Sequence, residues 1–294
     1  MHVLYIAKHG KADNDDEGAI AHALRELQHT VTCVTERDAL SASRVKADFL
    51  LMHHWDRPHL LRNFSLPCYF WHFDLVEWDS GVLQSRAVGK RSWMNTVMSN
   101  CRRGFCTDGD WVAKHPQKLI WLLQGADIRV AGRGQDGSGP AVLFMGSRAH
   151  CPARASHIAE LEQRYGSEMR VLERRGVIFR RALANVIAQS KIVVAPDTPV
   201  TDRYWSNRVY MTLGFGGFLI HPYCAELAKH YEDRKEIVFY RSRSEMLNLI
   251  DYYLERDDER QAISEAGLQR TLAEHTYTHR VIQLVAHIER DLRG

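Results

Sequence analysis

Two short stretches of the chain repeat one side-chain order. His53-His54-Trp55-Asp56 closes one apolar run, and Trp71-His72-Phe73-Asp74 closes another. Carboxylate and imidazole groups can take the proton of an attacking hydroxyl. Asp74 is therefore the first candidate for a general base, with His72 and His54 next. The competing reading is that these histidines satisfy loop carbonyls while the aromatics fill the end of a sheet.

A second set of residues suits phosphate. Gly146-Ser147 stands between an apolar run at 141–145 and a helical pattern at 152–165. Small residues there let an anion approach backbone N–H groups. Arg148 and Arg154 are nearby cations. Asn207 and Arg208 open another helical pattern, and a guanidinium fork matches phosphate oxygens. Gly214, Gly216 and Gly217 crowd the turn that follows, which is costly unless the backbone needs φ > 0 or close approach. Asp197, after Pro196, and His221, before Pro222, each end a strand pattern. A plain turn, a helix salt bridge and a helix C-cap are the alternatives.

These residues need a frame that alternates strands and helices. Short apolar runs at 3–7, 30–34, 47–52, 68–73, 104–107 and 119–123 read as strands, and 17–27 and 91–100 as helices. The pattern restarts with strands at 141–145, 169–172, 192–195, 218–220 and 236–240. Helices are expected at 152–165, 180–189 and 203–213, and nearly throughout from 244. Parallel returns need crossovers, so the expected class is α/β with parallel sheets. Ligands then belong outside the carboxyl ends of the strands. Residues 131–140 hold four Gly and a Pro and read as a linker. The expected division is 1–130, a Rossmann-like domain; 131–140, the linker; and 141–294, a second Rossmann-like domain with a helical tail.

Composition excludes several classes. The 294 residues are 45% hydrophobic and 26% charged, which fits a globular chain and not disorder, collagen or a coiled coil. No apolar run nears the ~18 residues of a membrane span. Residues 1–6 lack the order of a signal peptide, so a cytoplasm, bacterial or of a virus-infected host, is expected. The net charge of +3 is too mild to indicate nucleic-acid binding. Arg86, Lys90, Arg91, Arg102 and Arg103, with Trp93 among them, form a basic stretch in the first half. Arg174-Arg175 with Arg180-Arg181 form another. The six cysteines include no C-x-x-C, so reduced thiols are expected. The acidic run 13–17 suits a helix N-terminus, not a metal site.

The stretch Asp202-Arg203-Tyr204-Trp205-Ser206-Asn207-Arg208-Val209-Tyr210-Met211-Thr212-Leu213-Gly214-Phe215-Gly216-Gly217 is followed by Glu236-Ile237-Val238-Phe239-Tyr240. Tyr252-Tyr253-Leu254, Ala266-Gly267 and His275-Thr276-Tyr277-Thr278-His279-Arg280 follow in turn. This series resembles the C-terminal domain of GT-B-fold glycosyltransferases, in the branch related to the spore-maturation protein CgeB. The resemblance covers residues 141–290; over 1–130 it is architectural. It implies two Rossmann-like domains facing across a cleft, with an acceptor bound by the first and a UDP- or GDP-sugar by the second. It also implies transfer to a hydroxyl, metal-independent and with retention, and no cofactor besides the nucleotide-sugar co-substrate. Gly146, Ser147, Arg148, Asp197, Asn207, Arg208, Gly216, Gly217 and His221 become donor-binding candidates.

One departure stands out. Family members carry a Glu that contacts the donor's ribose where this chain has Met211, and a thioether is a weak acceptor. The acceptor is open: a glycan, a protein, a small molecule or a hydroxymethylated DNA base. Two rival readings remain, a nucleotide-sugar epimerase of the same fold and a non-catalytic two-lobed ligand-binding protein.

Overall fold

The computed structural model describes residues 1–9, 16–53, 57–76, 84–132, 138–148, 152–173, 181–196 and 201–294. Contacts divide the chain into two units, Met1–Gly125 with Tyr277–Gly294, and Ala126–Thr276.

The first unit holds six strands: β1 (His2–Ala7), β2 (Thr30–Thr35), β3 (Phe49–Met52), β4 (Cys68–His72), β5 (Arg103–Cys106) and β6 (Leu119–Trp121). Their order is β2-β1-β3-β4-β5-β6, and every neighbouring pair is parallel. Strand alternation sends Tyr5, Leu51, Tyr69, Trp71 and Phe105 to one face. Ile20 and Leu24 of α1 (Asp16–Glu26) and Val281, Leu284 and Ile288 of a C-terminal helix, Tyr277–Arg293, cover them. Leu50, Met52, Cys68 and Phe70 point the other way, toward Met94 and Val97 of α2 (Gln84–Asn100) and Trp111 of α3 (Gly109–Lys114). Both faces are thus buried, which explains the nearly continuous apolar strands.

The second unit repeats the plan. It comprises β7 (Val142–Met145), α4 (Pro152–Tyr165), β8 (Met169–Leu172), α5 (Arg181–Gln189), β9 (Ile192–Val194), α6 (Arg208–Gly214), β10 (Leu219–Pro222), β11 (Val238–Tyr240), α7 (Arg243–Leu254) and α8 (Asp257–Glu274). The strand order is β11-β10-β9-β7-β8, again all parallel. Val142, Phe144, Val194, Ile220 and Val238 pack with Ile158 and Leu161 of α4 and Met246, Ile250 and Tyr253 of α7. In each sheet the unit's first strand lies between its second and third, so the order reverses at β1/β3 and at β7/β9.

Two expectations differ from this arrangement. The C-terminal helix, α9 (Tyr277–Arg293), packs in the first unit, not in a domain spanning 141–294. Its apolar positions 281, 284, 285 and 288 form one helical stripe. Tyr277 donates from its hydroxyl to Asp16 at 2.6 Å, and Tyr69 donates to Asp291 at 2.6 Å. Periodicity shows that such a stripe exists but not which sheet it covers. The helix expected at 203–213 begins only at Arg208. Thr201 and Tyr204 form an isolated bridge before it, and Trp205 is buried with its indole N–H on the Tyr210 hydroxyl at 3.0 Å. Residues 133–137 of the expected linker, and 174–180 of the second basic run, lie outside the described residues. No helix among the described residues is long and apolar enough to cross a membrane.

Candidate functional site

Parallel open sheets bind ligands beyond their carboxyl ends, where the strand order reverses. In the second unit that point lies between the tips of β7 and β9. β7 ends at Met145, and Gly146 follows with φ +137, donating its N–H to the Leu172 carbonyl at 3.0 Å. A Cβ on Gly146 would stand 2.8 Å from Nη2 of Arg208 and 3.3 Å from the Phe144 ring. Only glycine lets the guanidinium come this close. Arg208 Nε donates to the Met145 carbonyl at 2.6 Å, and Nη1 donates to the Ser206 hydroxyl at 3.3 Å. The guanidinium carbon lies 5.4 Å from the centre of the Phe144 ring.

A second arginine reaches the same turn. Arg154, buried in the first turn of α4, donates from Nη1 to the Ser147 carbonyl at 3.4 Å. Gly146-Ser147 is therefore flanked by two guanidinium groups, each fixed to a carbonyl of the β7 tip. Held this way, cations need little reorganisation to meet a phosphate. His221 stands at the end of β10, buried, its Nδ1–H on the Pro222 carbonyl at 2.7 Å. The pairing of Ile220 with Val194 puts it level with Ala195 at the tip of β9. Asn207 precedes α6 with a buried side-chain oxygen.

Other donor candidates fall elsewhere. Arg148 is engaged by two carboxylates, with both Nη groups on Glu162 at 3.0 Å and Nε 3.6 Å from Glu173. Its pKa is raised, first by the Glu162 hydrogen bonds, so its charge is already matched. Gly216 and Gly217 lie at the opposite, amino edge of the sheet. α6 runs back along the strands from Arg208, about 10 Å over its seven residues. Gly216, at φ +75, caps that helix, and Gly217 is small because a Cβ would meet Ile187 of α5 at 2.6 Å. The sequence pattern correctly marks both as backbone-critical, but helix capping and packing explain them. Asp197 lies outside the described residues.

In the first unit the corresponding edge carries Asp74, exposed just beyond β4. His72 is buried, its ring 5.3 Å from that of Trp93. An imidazole enclosed there is not open to an acceptor. His54 lies outside the described residues, as does Asp56. The neighbouring His53 is better defined. At the β1/β3 reversal it donates Nδ1–H to the Trp71 carbonyl at 2.7 Å, with Nε2 3.8 Å from buried Glu17. Sequence reasoning treated Glu17 only as helix-terminal charge. Asp108 is buried beyond β5, accepting from the Val76 and Trp111 N–H groups at 2.9 and 3.0 Å. It thereby anchors the segment that follows Asp74. Among the described residues, no three His, Cys, Asp or Glu side chains gather as a metal-ligand set.

Two parallel α/β units, one with arginines gathered at its strand reversal, define the GT-B class of glycosyltransferase. Residues 122–286 match the model of a family described as glycosyl transferase-like, and the chain belongs to that family of transferases. Solved structures share the fold along nearly the whole chain. Sucrose-phosphate synthase from Thermosynechococcus elongatus aligns with TM-score 0.72 at 12% identity, over 99% of this chain and 98% of its own. HepE from Anabaena, in complex with UDP and glucose, gives 0.65 at 12%, over 99% and 100%. An alpha-glucosyltransferase in complex with UDP-glucose and DNA containing an abasic site gives 0.64 at 9%, over 98% of each chain. Among curated proteins none matches the sequence.

Proposed function

We propose that the second unit binds the diphosphate of a UDP-sugar at the β7 tip, and that the sugar passes to an acceptor hydroxyl. The observation that carries this reading is Arg208, tied to Met145 and resting against a positive-φ Gly146. Arg154 and Ser147 complete the diphosphate cradle, and Asn207 and His221 border it. The UDP and UDP-glucose bound by structural neighbours support uridine as the base.

In the transfer, the acceptor oxygen bonds to the anomeric carbon and the bond from that carbon to the diphosphate breaks. Negative charge grows on the leaving oxygen, where two fixed guanidinium groups stabilise it without a metal. With retention, the acceptor proton passes to that departing oxygen. Asp74 accepts a hydrogen bond from the acceptor hydroxyl and orients it.

Calorimetric titration with UDP, GDP, ADP and TDP tests the donor assignment. UDP is expected to bind wild type and to lose affinity in Arg208→Ala. Silence with all four nucleotides would overturn the reading. Incubation with UDP-glucose and candidate acceptors, hydroxymethylated duplex DNA among them, then reads transfer directly. The DNA arm follows from the neighbour solved with DNA.

A further inference from the structure

A pocket of about 360 Å³ opens at the amino edge of the first sheet, lined by Arg102, Arg103, Ile120, His287, Arg290 and Asp291 among others. It sits at the end of α9 opposite Tyr277. The fourteen steps of rise from Tyr277 to Asp291 span about 21 Å of helix, so the pocket is remote from the strand tips of its own unit.

Asp291 organises the cations. It accepts from the Tyr69 hydroxyl at 2.6 Å and faces Nε of Arg102 at 3.2 Å and Nε of Arg103 at 3.3 Å. Gripping both guanidiniums by Nε leaves their outer Nη forks without a hydrogen-bond partner among the described residues. Arg290 bonds the Ala286 carbonyl through Nε and the His287 ring through Nη2, leaving Nη1 uncommitted among the described residues. Three guanidiniums thus line the pocket, and two of them face its one carboxylate. Burial, then Arg290 and Arg103, hold the His287 imidazole below its usual pKa. Arginine in a last helical turn also offsets the carbonyl dipole. That role accounts for Arg290 but not for Arg102, just before β5, or Arg103, its first residue.

We propose that this pocket binds a small phosphate-bearing molecule, such as a phosphomonoester of sugar size, at a site separate from the transfer chemistry. Guanidinium forks suit phosphate oxygens, and the volume suits a compact ligand. A concave pocket favours a small monoester over the extended backbone of a nucleic acid.

The test is calorimetry on the full chain with inorganic phosphate, pyrophosphate and glucose 6-phosphate. Arg103→Gln with Arg290→Gln should weaken glucose 6-phosphate at least about tenfold, whereas Arg208→Ala should leave it within about twofold. Circular dichroism melting shows whether the double variant folds; if it does not, Arg290→Gln alone carries the comparison. Unchanged affinity in the folded variant overturns the proposal. So does loss of binding in Arg208→Ala, the absence of heat with all three probes, or retention on duplex DNA without small-molecule binding.

Discussion

Arg208 and Gly146 lie 62 residues apart, yet the guanidinium of one occupies the space a side chain on the other would need, 2.8 Å from the would-be Cβ. The arginine's place over the β7 tip therefore depends on a glycine with φ +137.

Gly146→Ala should both strain the backbone and displace the guanidinium. We expect a stability loss of about 1–3 kcal/mol, read by urea unfolding. UDP affinity should fall at least about tenfold, a shift of about 1.4 kcal/mol. Full affinity in a folded variant would show that Arg208 does not meet the nucleotide.

Arg208→Lys separates charge from shape. Lysine keeps the positive charge but cannot bond the Met145 carbonyl and present a planar fork together. Nucleotide binding should weaken substantially while the thermal midpoint stays close to wild type. Equal binding by the lysine variant would mean that charge alone suffices.

Asp74→Asn tests the acceptor side. Transfer from UDP-glucose should drop, but by less than the ~10²–10⁴-fold that loss of a general base costs, because the carboxylate orients the hydroxyl and does not take its proton. UDP affinity should not change. A variant as active as wild type removes Asp74 from the chemistry.

Three tyrosines predict the alkaline limit of stability. Burial, aided by Asp16, Asp291 and Asp251 respectively, raises the pKa of Tyr277, Tyr69 and Tyr165. Above an unfolded pKa of about 10, the unfolded chain releases protons that the folded chain keeps, so stability falls as pH rises. Tyr277→Phe should flatten that decline in urea melts from pH 9 to 11. The same variant should cost about 1–3 kcal/mol at neutral pH, because Asp16 loses a buried donor.

Thiol labelling gives a simple check of the core. Burial pushes Cys68 up to about 11 and Cys101 well above its usual value, so both should resist iodoacetamide at pH 8 in the folded protein. Rapid native labelling at either would contradict the packing of β4 against α2.

Much of this frame was legible from residue order. The strand at Met169–Leu172 and the helix at Pro152–Tyr165 have the boundaries that periodicity implied. Arg208 was singled out because it opens a helical pattern before the Gly216-Gly217 turn, in the stretch that carries the family resemblance. What could not be read was which groups are already satisfied. Arg148 resembled a phosphate ligand until Glu162 and Glu173, fourteen and twenty-five residues away, proved to hold it. Gly216 and Gly217 carried a true backbone signal whose meaning depends on the direction of α6. The buried His72 and the paired His53 are neighbours in type and layout, and only sheet registration tells them apart.

The return of α9 has a practical corollary. Ala126 donates its N–H to the His275 carbonyl at 2.8 Å and bridges Thr276, so the second unit enters and leaves at one doorway. Topologically it is a cassette inserted into the other lobe, and cutting at 126 and 276 would free it with adjoining ends. Clipping the chain after Thr276, by contrast, would strip a covering layer from the amino-terminal lobe and leave the second unit's own chain intact.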